Sequence, residues 1–198
     1  MSSDLESLLS SMREHGLLLQ QDPALPNVAG LVAGGPVRGS WWSHPRAHAI
    51  FGAINQLVDH PEVLTVKLVS GKVTFVQRDL WPAVLAVATA REPWQLEHLS
   101  DDAAALLDRI DRSEVLIASG PAAKLLERRL LVHGRQVHTE SGEHRTELER
   151  WHNWAARVGC SMALPVAEGK ALIEQRVDAL NLKYSGLKYG GRGRLPWR

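Results

Sequence analysis

Between Ser43 and Pro61 the apolar residues Ala47, Ile50, Phe51, Ile54, Leu57 and Val58 recur at the spacing of one helical stripe. Ser43 is suited to the N-cap, Pro45 to the first turn and Pro61 to the stop. The pattern then switches to alternation. Val63–Val69 and Lys72–Arg78 flank Ser70-Gly71 and predict a tight β-hairpin. A two- or four-residue loop sets Leu68 opposite Val73 and Val66 opposite Phe75. Leu64, Val66, Leu68, Val73 and Phe75 then share an apolar face, while Thr65, Lys67, Lys72, Thr74 and Arg78 share the other with Val69 and Val76.

The same patterns extend along the chain. Asp4–His15 predicts a helix with Leu5, Leu8, Leu9 and Met12 inward and Gly16 as its C-cap, and Leu17–Leu19 suits a strand. From Gln20 to Trp42 there is no period, and recurrent proline and glycine predict a long loop. Asp79 caps a helix through Leu80, Trp81, Val84, Leu85 and Val87, which ends near Arg91-Glu92-Pro93. Ser100 caps Asp101–Asp111, and Val115-Leu116-Ile117 leads to a helix from Pro121 to Val132 that Gly134 closes. Arg135–Thr139 is extended, and helices follow over 143–158 and 167–182. Helix, strand, helix, strand thus occurs twice. The expected fold class is α+β, helix-rich, with two winged-helix-like modules over 1–94 and 95–160, each carrying a short hairpin wing, and a C-terminal helix with a flexible basic tail over 161–198.

Composition narrows the setting. The single Cys160 excludes an internal disulfide framework, and the polar start Met1-Ser2-Ser3-Asp4 is unlike a signal peptide. The apolar run Leu80–Ala90 is too short for a bilayer. A cytoplasmic protein without membrane contact is expected. Lys183, Lys188, Arg192, Arg194 and Arg198 put five positive charges in the last stretch with no acid, so a total of +1 leaves −4 on the remainder.

These patterns point to a nucleic-acid partner, DNA rather than RNA. Lys67, Lys72 and Arg78 on the wing would displace counterions from phosphates. The outer face of the 43–61 helix carries Ala49, Gly52, Ala53 and Gln56 flanked by His48 and Asn55, small enough for close approach and containing adenine-reading amides. Of the adjacent Trp41 and Trp42, one is expected in the core and Trp42 is the candidate for base stacking. Lys124, Arg128 and Arg135, with Arg129 and His133, form a second cationic set. His44 and His48 are a turn apart but lack the acid of a His-Glu-x-x-His site, and no Gly-Lys-Ser/Thr follows the glycines, so no metal or cofactor is expected. Roles in repair or transcription fit this reading, and a homodimerising or protein-interaction module is the alternative.

The two modules, the loop Leu19-Gln20-Gln21-Asp22-Pro23 and the segment Val132-His133 to Val137-His138-Thr139 resemble the AlkZ/YcaQ-type winged-helix DNA glycosylases. The resemblance implies a shortened relative, because this chain lacks room for that family's full set of winged-helix repeats. It further implies that Gln20 and Asp22, matching a Gln-x-Asp motif, activate water against alkylated nucleosides. Chemically, Asp22 would accept a proton from the water and Gln20 would orient it. Structurally, Asp22-Pro23 is an ordinary turn start, and that reading takes precedence.

Overall fold

The computed structural model describes residues 3–138, 144–161, 164–184 and 192–198 of the chain. The chain divides into two units, one of residues 1–81, 171–196 and 198, the other of 82–170 and 197. The C-terminal helix therefore belongs from Ala171 onward to the first unit.

In the first unit α1 (Ser3–His15) turns Leu5, Leu8 and Met12 inward and stops at Gly16, whose φ of 78° is the left-handed conformation glycine adopts without strain. β1 (Leu17–Leu19) follows. The loop expected from Gln20 to Trp42 contains a short helix, α2 (Val28–Ala33). It is fixed at one end by Asn27, whose Oδ1 accepts from the Gly30 amide at 2.8 Å, and at the other by Gly34. Six residues are too few to show a period. The main helix, α3 (Ala47–Val58), begins later than expected: Trp41–Ser43 form a 3₁₀ turn, and Arg46 rather than Ser43 occupies the N-cap position. Ile50, Ala53, Ile54 and Leu57 face the core with Leu8, Leu18, Val28 and Phe75.

β2 (Val63–Lys67) and β3 (Val73–Gln77) form the hairpin in a register one residue away from that expected. Lys67 pairs with Val73 and Thr65 with Phe75, across a five-residue connection. Alternation fixes a register only where one face is wet, and this sheet has no wet face. β1 pairs with β3, Leu18 opposite Phe75, giving the order β1-β3-β2. Leu18, Val63 and Phe75 are buried on one face, and Leu17, Leu19, Leu64, Val66 and Val76 on the other. With apolar side chains wanted on both sides, the turn sets the register. Ser70 and Gly71 take φ of 54° and 66°, while Thr74 Oγ1 accepts from the Val69 amide at 3.2 Å and donates to the Lys72 carbonyl at 3.0 Å.

The second unit holds most of α4 (Trp81–Ala88), then α5 (Pro93–Leu96), α6 (Asp101–Asp111), β4 (Val115–Ile117), α7 (Pro121–Arg128), β5 (His133–His138), β6 (His144–Glu149) and α8 (Trp151–Val158). Ser100 caps α6, its Oγ accepting from the Ala103 amide at 3.3 Å. α7 is shorter than expected because Leu130, at φ 53°, turns the chain. The helix expected over 143–158 divides into β6 and α8. Alternation from His144 to Glu149 gives a strand whose inward Leu148 pairs with Leu116 and Gly134, in the order β4-β6-β5. Thr139 and Glu143 lie outside the described residues.

The last helix, α9 (Val166–Tyr184), turns Ile173, Val177 and Leu180 inward. The tail after it was expected to be flexible. Residues 192–196 are instead docked on the first unit with Leu195 buried, and Arg198 pairs with Glu174 at 2.8 Å and Asp178 at 2.9 Å. Residues 185–191 lie outside the described residues.

Candidate nucleic-acid interface

On α3 the inward arc leaves His48, Gly52, Asn55 and Gln56 on the outer side. His48 and Gln56 are exposed and Asn55 is half-buried. A Cβ built on Gly52 would meet nothing within 4 Å, so the helix backbone is open to close approach there. Two residues depart from the expected faces: Ala53 is buried at 4% exposure, and Val58 is 36% exposed. Trp41 is in the core and Trp42 is 62% exposed. They do not point apart, as an extended segment would require. The 3₁₀ turn stacks their rings at 4.0 Å and 24°, and Trp42 also lies 5.4 Å from Phe51. An exposed indole thus stands on an aromatic base at the margin of the outer face of α3.

The expected basic wing face does not assemble. Lys67 lies on the Phe75 face of the sheet and is half-buried. Lys72 is in the connection, its Nζ 2.6 Å from Asp22 Oδ2. Arg78 lies at the opposite end of the hairpin, 4.0 Å from a Glu62 carboxylate oxygen and with its guanidinium 5.0 Å from the Trp81 ring centroid. In the second unit Lys124 and Arg128 are exposed a turn apart on α7, whereas Arg135 pairs with Glu147 at 2.7 Å.

Asp22 is 7% exposed and carries the turn. Its Oδ1 accepts from the Ala24 and Leu25 amides, each at 2.9 Å, its Oδ2 holds Lys72, and its carbonyl accepts from Asn27 Nδ2 at 2.8 Å. Gln20 is held through its backbone, donating to the Val73 carbonyl at 2.9 Å and accepting from the Ala29 amide at 3.1 Å. With its donors in place, Asp22 caps a turn and neutralises Lys72. This arrangement does not support the water-activating role that the resemblance implies.

One cluster was not anticipated. His133, expected among the outer cations, is buried: its Nδ1 lies 3.0 Å from Glu149 Oε1, which also accepts from Arg157. The rings of Trp151 and Trp154 lie 5.4 Å and 5.8 Å from it. Burial pushes the His133 pKa below its ordinary value despite the attraction of Glu149, so the ring is neutral at neutral pH and donates from Nδ1. For Glu149 burial acts upward, but the hydrogen bonds from His133 and Arg157 together hold its pKa below the usual value. Beside the cluster a groove of about 400 Å³ is lined by Arg135, Glu147, Arg150, Asn153 and Arg157 among others. The alternation of Glu147 and Glu149 around Leu148 was the available signal. Among the described residues no group of three or more His, Cys, Asp or Glu is placed to hold a metal ion, and no helix is long and apolar enough to cross a membrane.

Comparison of the chain with protein-family models, curated proteins and solved structures gave no match.

Proposed function

We propose that the chain is a tandem winged-helix protein that binds DNA through the outer face of α3. The fold reading is supported by the order helix, strand, helix, helix, strand, strand in the first unit, with the last strand between the other two. In that connectivity a helix-turn-helix pair is followed by a hairpin. The second unit repeats the plan with one helix fewer between its first two strands. The observation that carries the binding reading is the outer face of α3, where exposed His48 and Gln56, half-buried Asn55 and an open Gly52 backbone adjoin the exposed Trp42. Amide side chains pair with adenine edges, and an indole supported from behind stacks on a base. The engaged carboxylate of Asp22 favours binding without base release.

A second reading, a protein-interaction surface, is favoured by the apolar exposure in the same unit, with Trp42 at 62%, Leu31 at 42% and Val58 at 36%. Fluorescence anisotropy with a short labelled duplex separates the two. For the DNA reading, Trp42→Ala and Gln56→Ala each weaken binding by about fivefold to 150-fold, since stacking and amide readout are worth about 1–3 kcal/mol apiece. Duplex binding unchanged by both substitutions contradicts it. Concentration-dependent self-association abolished by Trp42→Ala would favour the second reading.

A further inference from the structure

We infer that the phosphate-contacting cations at the hairpin tip are Arg192 and Arg194, delivered by the C-terminal segment, and not Lys72 of the hairpin connection. The inference rests on the DNA-binding reading and specifies how that reading is met electrostatically. Ser70, at the tip, donates its amide to the Arg194 carbonyl at 2.7 Å and accepts the Arg194 amide on Oγ at 3.1 Å. One residue earlier Asn181 makes a matching pair with Gly193, its Oδ1 accepting from the Gly193 amide at 2.7 Å and its Nδ2 donating to the Gly193 carbonyl at 3.0 Å. These two clamps, together with the buried Leu195, fix the segment with a period of two: Gly193 and Leu195 are buried and Arg192 and Arg194 exposed.

Gly193 is required by its neighbours, since a Cβ there would come within 2.8 Å of Val69 Cγ1 and 3.1 Å of Leu25 Cδ1. Neither the Arg192 nor the Arg194 guanidinium has an ion-pair partner among the described residues. At the same tip Lys72 is neutralised by Asp22. Charge complementarity to a phosphodiester backbone therefore resides in the two arginines, which can each bind phosphate in bidentate fashion.

The test is the salt dependence of duplex affinity for the full chain. Arg192→Ala with Arg194→Ala is expected to lower the slope of log affinity against log salt by about 1.8, at about 0.9 for each phosphate left unneutralised. Arg192→Lys with Arg194→Lys retains most of the slope. Gly193→Val keeps both arginines but displaces the segment, and is expected to reduce the slope as the alanine pair does. A wild-type slope in the alanine pair overturns the inference while leaving DNA binding intact. A wild-type slope in Gly193→Val alone overturns presentation by the clamp, because a detached tail would then suffice. Wild-type chain that binds no duplex at low salt overturns the DNA reading itself, and binding instead to phosphatidylserine vesicles would reassign the phosphate partner to a membrane.

Discussion

A lysine facing a buried carboxylate has different consequences from one facing solvent. Lys72 is partly exposed, so its pairing with Asp22 is partly screened, and Lys72→Ala is expected to cost about 1 kcal/mol. Asp22→Ala is expected to cost more, about 2–3 kcal/mol, because the buried Ala24 and Leu25 amides lose their acceptor as well. Chemical denaturation of the two variants checks the order, and equal losses would mean that the ion pair dominates the turn bonds. His133 makes an independent prediction. Its folded pKa lies below the unfolded value of 6.5, so below that pH the unfolded chain binds the proton first and stability falls as pH decreases. The slope is at most about 1.4 kcal/mol per pH unit. Glu149 adds a separate loss at lower pH, as pH falls through its own lowered folded value. Melting followed by tryptophan fluorescence is expected to show a lower midpoint at about pH 5.5 than at about pH 7.5, with the difference reduced in His133→Gln. A midpoint that does not shift between these conditions contradicts a neutral buried imidazole.

Among the elements, Phe75 marks what the hairpin does. It is fully buried on the face shared with Leu18 and Val63, and Phe75→Ala is expected to cost roughly 3–5 kcal/mol in equilibrium unfolding. A loss below about 1 kcal/mol would make that face peripheral. The hairpin also shows where sequence patterns suffice and where they stop. Strands at Leu17–Leu19 and either side of Ser70-Gly71, the helix stopping at Gly16 and the Ser100 cap are local signals and were legible. The register was not, because Leu17–Leu19 joins the hairpin as a third strand and asks for apolar residues on both faces. Likewise β6 was hidden because His144–Glu149 carries one inward apolar residue, Leu148, and its pairing with β4 and β5 is non-local. Of the candidate site, His48 and Gln56 were legible as outer-face residues of one amphipathic helix, and Trp42 as the member of an adjacent tryptophan pair left outside the core. The fates of Lys72 and Arg78 were not, since their partners Asp22 and Glu62 are set by tertiary contact.

For the molecule as a whole, the charge that composition places near the C-terminus is partly structural. Arg198 is engaged by Glu174 and Asp178, and Lys183 by Glu14, while Arg192 and Arg194 remain exposed beside the hairpin tip. The α3 face itself is nearly uncharged, so the proposed roles divide: outer-face amides and Trp42 for base and groove contact, the returning segment for phosphate. The most direct test of the central claim is amide chemical-shift mapping of the full chain during titration with a short DNA duplex. Binding through α3 predicts the largest shifts at His48, Gly52, Asn55 and Gln56 and at the Trp42 indole. Saturable duplex binding that leaves those resonances in place would contradict it.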